Sequence, residues 1–178
     1  REQFIRLSEA LDTYSQGAVS LFHADAKQLV ERHPALKNSF DVVLLNNQCF
    51  SRAKSTLIEE DPLLLIDNSK KDVEDVSQKL TKLIYSAYQL LKPGGLLLYS
   101  SCAYSVQFNE MIINKLLKSH SHVEMLDFDE EILQRTPHVS GLCKWRGEVF
   151  DNNIPKTLRI IPSKIYSGFF MALLRKDI

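Results

Sequence analysis

The chain has 178 residues, about the length of one domain, and its 44% apolar and 25% charged residues are the balance of a globular protein. Its 22 basic and 22 acidic side chains cancel, which excludes a strongly basic domain that holds nucleic acid by charge alone. No apolar run approaches the ~20 residues of a membrane-spanning helix. The three cysteines, Cys49, Cys102 and Cys143, have neither the CxxC spacing of a zinc site nor the density of a disulfide scaffold. The expectation is an intracellular protein with unpaired thiols, no metal and no membrane.

In chain order, Arg1 to Tyr14 reads as a helix with an apolar stripe of Phe4, Leu7, Leu11 and Tyr14. Ala18 to Phe22 reads as a strand running into His23-Ala24-Asp25-Ala26, and Lys27 to Arg32 as a short helix stopped near Pro34. Phe40 to Leu45 (FDVVLL) is the clearest central strand, and it ends in Asn46-Asn47-Gln48-Cys49. Phe50 to Lys71 has no period and reads as a long loop of the sort that borders a binding site. Val73 to Lys92 places Val76, Leu80, Leu83, Ile84, Ala87, Leu90 and Leu91 on one helical face.

Pro93-Gly94-Gly95 should stop that helix and turn the chain into an apolar strand, Leu96 to Tyr99. This delivers Cys102 to the strand's carboxyl end, where open α/β sheets bind ligands. Phe108 to Ser119 is helical, Val123 to Phe128 a strand, and Asp129 to Val149 irregular, with Trp145 as a packing anchor. Leu158 to Pro162 and Phe169 to Leu174 form the arms of a β-hairpin. Strands alternating with helices predict one α/β domain over residues 1–178 with a mostly parallel sheet.

Several blocks together resemble the Sun family of RNA (cytosine-5) methyltransferases. That family has a strand ending in Asp-Ala-Pro-Cys-Ser, a helix, Leu-Lys-Pro-Gly-Gly, and a strand ending in Tyr-Ser-Thr-Cys-Ser. Here stand FDVVLLNNQCFS, LLKPGG and LLLYSSCAYS. Asn109-Glu110 match the family's Asn-Glu helix start, Ala24-Asp25-Ala26 its upstream triplet, and Arg159, Pro162 and Gly168-Phe169-Phe170 its closing block. The resemblance covers nearly the whole chain in order. It implies a Rossmann-like, S-adenosylmethionine-dependent methyltransferase sheet with flanking helices, and an RNA substrate such as rRNA or tRNA.

The resemblance also assigns roles. Carbon 5 of cytosine is a poor nucleophile until a thiolate adds to carbon 6, and covalent catalysis of this kind divides one hard step into easier ones. By the family's pattern Cys102 is that nucleophile and Cys49 assists product release. Asp25 maps to the carboxylate that meets the adenine end of the cofactor, though an aspartate there also caps a helix. Asn46 replaces the family's aspartate in the cofactor and base site. It keeps the shape and hydrogen-bonding capacity of that residue without its charge or its proton exchange. Gln48 replaces a proline that would stiffen the turn beside Cys49.

The chain carries no glycine-rich cofactor loop ahead of Ala18, and its first helix stands where the family's follows the ribose-binding acid. Without the two strands before that helix the sheet would have a gap, with bare apolar faces and unpaired backbone. The expectation is the C-terminal part of a longer catalytic domain, completed by an N-terminal half or by a complementing chain. A catalytically decayed relative serving as an RNA or ribosome-assembly scaffold is the alternative. A methyltransferase of another substrate, with packing cysteines, is a third reading.

Overall fold

The computed structural model of the chain describes residues 2–14, 19–47, 70–163 and 168–177. The expected loop at 50–71 lies almost entirely outside these residues, as does Cys49. Helix α1 (Glu2–Tyr14) forms as its pattern predicts, but its stripe is not buried: Leu7 is 49% and Tyr14 83% exposed. The expected strand at Ala18 to Phe22 does not form over its described residues. They run without ladder pairing into a 3-10 turn at Ala26–Gln28 and helix α2 (Leu29–Arg32). A strand exists only by its neighbour's hydrogen bonds, and no described residue supplies them to this segment.

The core is built on strand β1 (Phe40–Asn46), helix α3 (Lys70–Leu90) and strand β2 (Leu91–Ser101). The helix ends at Leu90 and pairing starts at once, with Leu91 opposite Phe40. Lys92-Pro93-Gly94-Gly95 is therefore an irregularity inside the strand rather than the turn before it. Gly94 takes φ 79°, and a Cβ on Gly95 would stand 2.9 Å from the Lys92 carbonyl oxygen, so both positions need glycine. Helix α4 (Glu110–Ser119) follows a 3-10 turn at Val106–Phe108 and leads to strand β3 (Val123–Leu126).

The stretch read as irregular contains helix α5 (Glu130–Arg135) and the short strands β4 (His138–Ser140), β5 (Lys144–Trp145) and β6 (Glu148–Val149). These strands are two or three residues long, too short to show a period. The hairpin forms as expected, from β7 (Leu158–Ile160) and β8 (Phe169–Lys176).

The main sheet runs β1-β2-β8-β7-β4, with β3 also paired to β8. Among the described residues only β1 and β2 are parallel; every other pair is antiparallel, which corrects the expectation of a mostly parallel sheet. The cause is β8, which returns as the second arm of a hairpin and inserts beside β2.

The two faces of this sheet differ. Val43, Leu45, Leu97, Tyr99, Phe170, Ala172 and Leu174 belong to the core with residues of α3 and α4. On the other face Val42 and Leu44 are 63% and 64% exposed, and their cross-strand neighbours Leu96 and Leu98 are only half buried. Sheets of this class carry helices on both faces. Among the described residues only one face is covered.

Candidate active site

The site is placed by the β1–β2 register. Asn46 stands opposite Ser100, so the two parallel strands end side by side and Cys102 follows two residues beyond that pair. The Ser100 hydroxyl donates to Asn46 Oδ1 at 3.2 Å. The Ser100 carbonyl accepts both from the Asn47 amide at 3.1 Å and from Asn47 Nδ2 at 3.2 Å. Asn47 is buried, and its Oδ1 has no hydrogen-bond donor among the described residues.

Cys102 is half buried on the loop after β2. Its sulfur is disulfide-bonded, which corrects the expectation of an unpaired thiol at this position; Cys143, away on an exposed bend, is free. A disulfide sulfur is not a thiolate, and only the thiolate is a nucleophile.

The backbone around Cys102 is tied down on both sides. Ser101 Oγ accepts from the Ala103 amide at 3.0 Å, and Asn109 Nδ2 donates to the Ala103 carbonyl at 2.8 Å. Arg159 Nη1 donates to the Tyr104 carbonyl at 3.1 Å. Arg159 also forms a two-pronged ion pair with Glu110, Nε to Oε1 and Nη2 to Oε2, both at 2.6 Å. Glu110 is wholly buried and accepts in addition from the Leu142 amide at 3.1 Å. Burial pushes the Tyr104 phenol up, against the opposing pull of the Arg159 charge.

Asp25 stands apart from this cluster. Its Oδ1 caps the turn by accepting from the Lys27 amide at 3.0 Å, and Oδ2 lies 3.2 Å from Lys27 Nζ. The amide bond above all holds its carboxyl below the usual range, with help from the Lys27 and Arg32 charges against burial. The capping role anticipated for it is present. Of the four residues expected in the site, Asn46 and Cys102 lie at the ends of neighbouring strands, Asp25 stands on a separate turn, and Cys49 is outside the described residues. No group of three metal-binding side chains occurs among the described residues, and no described helix is long and apolar enough to cross a membrane.

The family's motif gives neither Glu110 nor Arg159 a partner, and Tyr104 carries no local signal. The available signals were a carboxylate opening an apolar helix and an arginine inside the strand Leu-Arg-Ile. Each is a charge in a setting that should bury it, and buried charges are paired.

Comparison with known proteins agrees with this architecture. The family described as 16S rRNA methyltransferase RsmB/F matches residues 3–175. Ribosomal RNA small subunit methyltransferase F of Serratia proteamaculans is 30% identical over 177 residues, covering 92% of this chain and 34% of the relative. Its counterpart in Erwinia tasmaniensis is 30% identical over 146 residues, covering 80% of this chain and 27% of that protein. The chain thus spans 27% to 34% of the length of these curated relatives. Among solved structures, a methyltransferase homolog protein from Pyrococcus horikoshii aligns with TM-score 0.75 and 25% identity, over 99% of this chain and 51% of that one. NSun6 from the same organism, solved with SFG, shares the fold at TM-score 0.67 and 23% identity, over 100% of this chain and 40% of that one. By sequence over nearly its whole length, and by fold, the chain belongs to the RsmB/F family of RNA methyltransferases.

Proposed function

We propose that the protein methylates carbon 5 of a cytosine in small-subunit ribosomal RNA, with Cys102 as the nucleophile. The observation that carries this reading is the placement of Cys102 on a braced loop at the carboxyl end of β2, beside the end of β1. The names of the relatives support the RNA and the methyl transfer.

In this mechanism the reduced Cys102 thiolate adds to carbon 6, forming a C–S bond and moving the ring's electron pair to carbon 5. Carbon 5, made electron-rich in this way, would accept a methyl group from a bound donor, the donor's carbon–sulfur bond breaking as the new bond forms. A basic group or water at the site takes the carbon 5 proton, and the freed electron pair re-forms the C5–C6 double bond and expels the thiolate, a departure that Cys49 assists. S-adenosylmethionine supplies the methyl group as a sulfonium, which makes it an electrophile. Asp25, kept ionised on its exposed turn, suits the adenine amino group. Asn46, and the buried acceptor Asn47 Oδ1 that lacks a donor, suit polar groups arriving at the end of β1. The SFG complex of NSun6 supports a cofactor of this class.

We further propose that residues 1–178 form the back part of a larger catalytic domain, whose remaining strands pair with β1 and whose helices cover Val42 and Leu44. The exposure of those two side chains supports it. The cysteines are expected to work in a reducing compartment inside the cell.

The test is methyl transfer to small-subunit rRNA under reducing conditions by the whole catalytic domain, with residues 1–178 joined to the part that completes the sheet. Cys102→Ala is expected to abolish it, and Cys49→Ala to trap a protein–RNA adduct that survives denaturing electrophoresis. Full transfer by Cys102→Ala overturns the reading. An unmodified protein that transfers no methyl at all supports the decayed scaffold instead.

A further inference from the structure

We infer that Arg159 and Glu110 are positioning residues for Cys102, acting through the loop backbone rather than by touching substrate; this rests on the nucleophile reading above. Two observations carry it. First, Arg159 uses two donors on Glu110 and its third on the Tyr104 carbonyl, two residues beyond Cys102. Second, Glu110 is wholly buried and Arg159 is 15% exposed, so both charges have been taken out of water.

A buried ion pair is weak evidence of stabilisation, because well-packed apolar side chains of the same volume often do as well or better. The planar guanidinium offers something apolar packing lacks, a fixed fork whose remaining donor points in a defined direction. Here that direction is the loop. The partners are 49 residues apart in sequence, and the Leu142 amide on Glu110 Oε1 adds a third segment. With Ala103 held by Ser101 and Asn109, every described residue flanking Cys102 from 101 to 104 takes part in a tie. These ties hold the backbone that carries the Cys102 side chain, and so set the position from which its sulfur attacks carbon 6.

The loss of such a tie acts on the chemical step. Arg159→Lys keeps the charge but has one nitrogen where three are used. It is expected to lower kcat about 10- to 100-fold, the cost of misplacing a reacting atom by roughly 1 Å, with KM for RNA and cofactor little changed. If that variant folds poorly, the double variant Glu110→Gln with Arg159→Gln replaces the buried charges by neutral amides. It should fold, yet its shorter side chain at 159 leaves the Tyr104 carbonyl without a donor, so kcat should still fall.

The second readout is the rate and pH profile of Cys102 alkylation by iodoacetamide after reduction, which should change in both variants without any RNA present. A purely structural role predicts a lower unfolding temperature with an unaltered alkylation profile and unaltered kcat per folded molecule. That result overturns the inference. Inactive Cys102→Ala beside a fully active double variant also overturns it while leaving the nucleophile reading intact. Active Cys102→Ala overturns the nucleophile reading itself.

Discussion

The ring of Tyr104 lies against the α-carbon of Gly168 so closely that a methyl group there would overlap its hydroxyl, Cζ and Cε1. The contact joins the Cys102 loop to the start of β8. Gly168→Ala must push the whole ring aside, since more than the hydroxyl is in the way. It is expected to destabilise the fold by about 1–3 kcal/mol, the usual range for overpacking, measured as a lower urea midpoint. The same hydroxyl is buried without a hydrogen-bond partner among the described residues. Tyr104→Phe should therefore be neutral or stabilising, because it removes an unsatisfied polar group. A loss of activity in that variant without a loss of stability would mean the hydroxyl meets substrate.

Thiol chemistry separates the cysteines. Cys143 is exposed and free, whereas Cys102 is disulfide-bonded. Iodoacetamide labelling followed by peptide mass mapping should mark Cys143 without reductant and Cys102 only after reduction. Labelling of Cys102 in untreated protein would show that the bond is absent in solution.

Alkaline pH should loosen the core at Tyr99. This side chain is wholly buried and donates to the Phe108 carbonyl, and burial raises its pKa above the ordinary value of about 10. Below that pH both states hold the proton and the contribution is fully present. Above it the unfolded chain ionises while the folded one does not, so stability falls as pH rises, by up to about 1.4 kcal/mol per pH unit. Urea midpoints at pH 9 and 11 measure the slope, and Tyr99→Phe should flatten it.

The exposed pair on β1 gives a comparison between lengths of chain. In the 178-residue segment, Val42→Ser with Leu44→Ser should change stability by no more than about 0.5 kcal/mol, as for other surface substitutions. In a full-length protein the same pair is expected to cost about 2 kcal/mol or more, as buried apolar side chains are lost. Equal effects in both would argue against a covering layer.

Asn46→Asp restores a carboxylate while keeping an acceptor for the Ser100 hydroxyl. If proton exchange at this position limits the reaction, kcat should rise about tenfold or more. An unchanged rate would mean that hydrogen bonding by the neutral amide suffices.

What could be read in advance follows the physics of each element. FDVVLL and LLLYSS are legible because a short, continuous apolar run bounded by polar residues is the mark of a sheet strand. The period of α3 was equally plain. Ala18 to Phe22 reads as a strand by composition, but its described residues have no ladder partner among the described residues. The antiparallel entry of β8 was hidden for a related reason: direction depends on the hairpin from β7, not on the composition of β8. At the site, Asn46 and Cys102 were legible as strand-end residues. The Glu110–Arg159 pair was not, because a contact across 49 residues leaves no local spacing to detect.

The insertion of β8 between β2 and the β7–β3 side of the sheet also bears on synthesis. The ribosome completes β2 at Ser101 and does not reach Phe169 until the whole α4-to-β7 stretch has been made. At about 5–20 residues per second, β2 emerges with one edge open for several seconds. During that interval the cysteine loop has neither Arg159 beneath it nor Gly168 beside it, so the setting of Cys102 is assembled only late in translation.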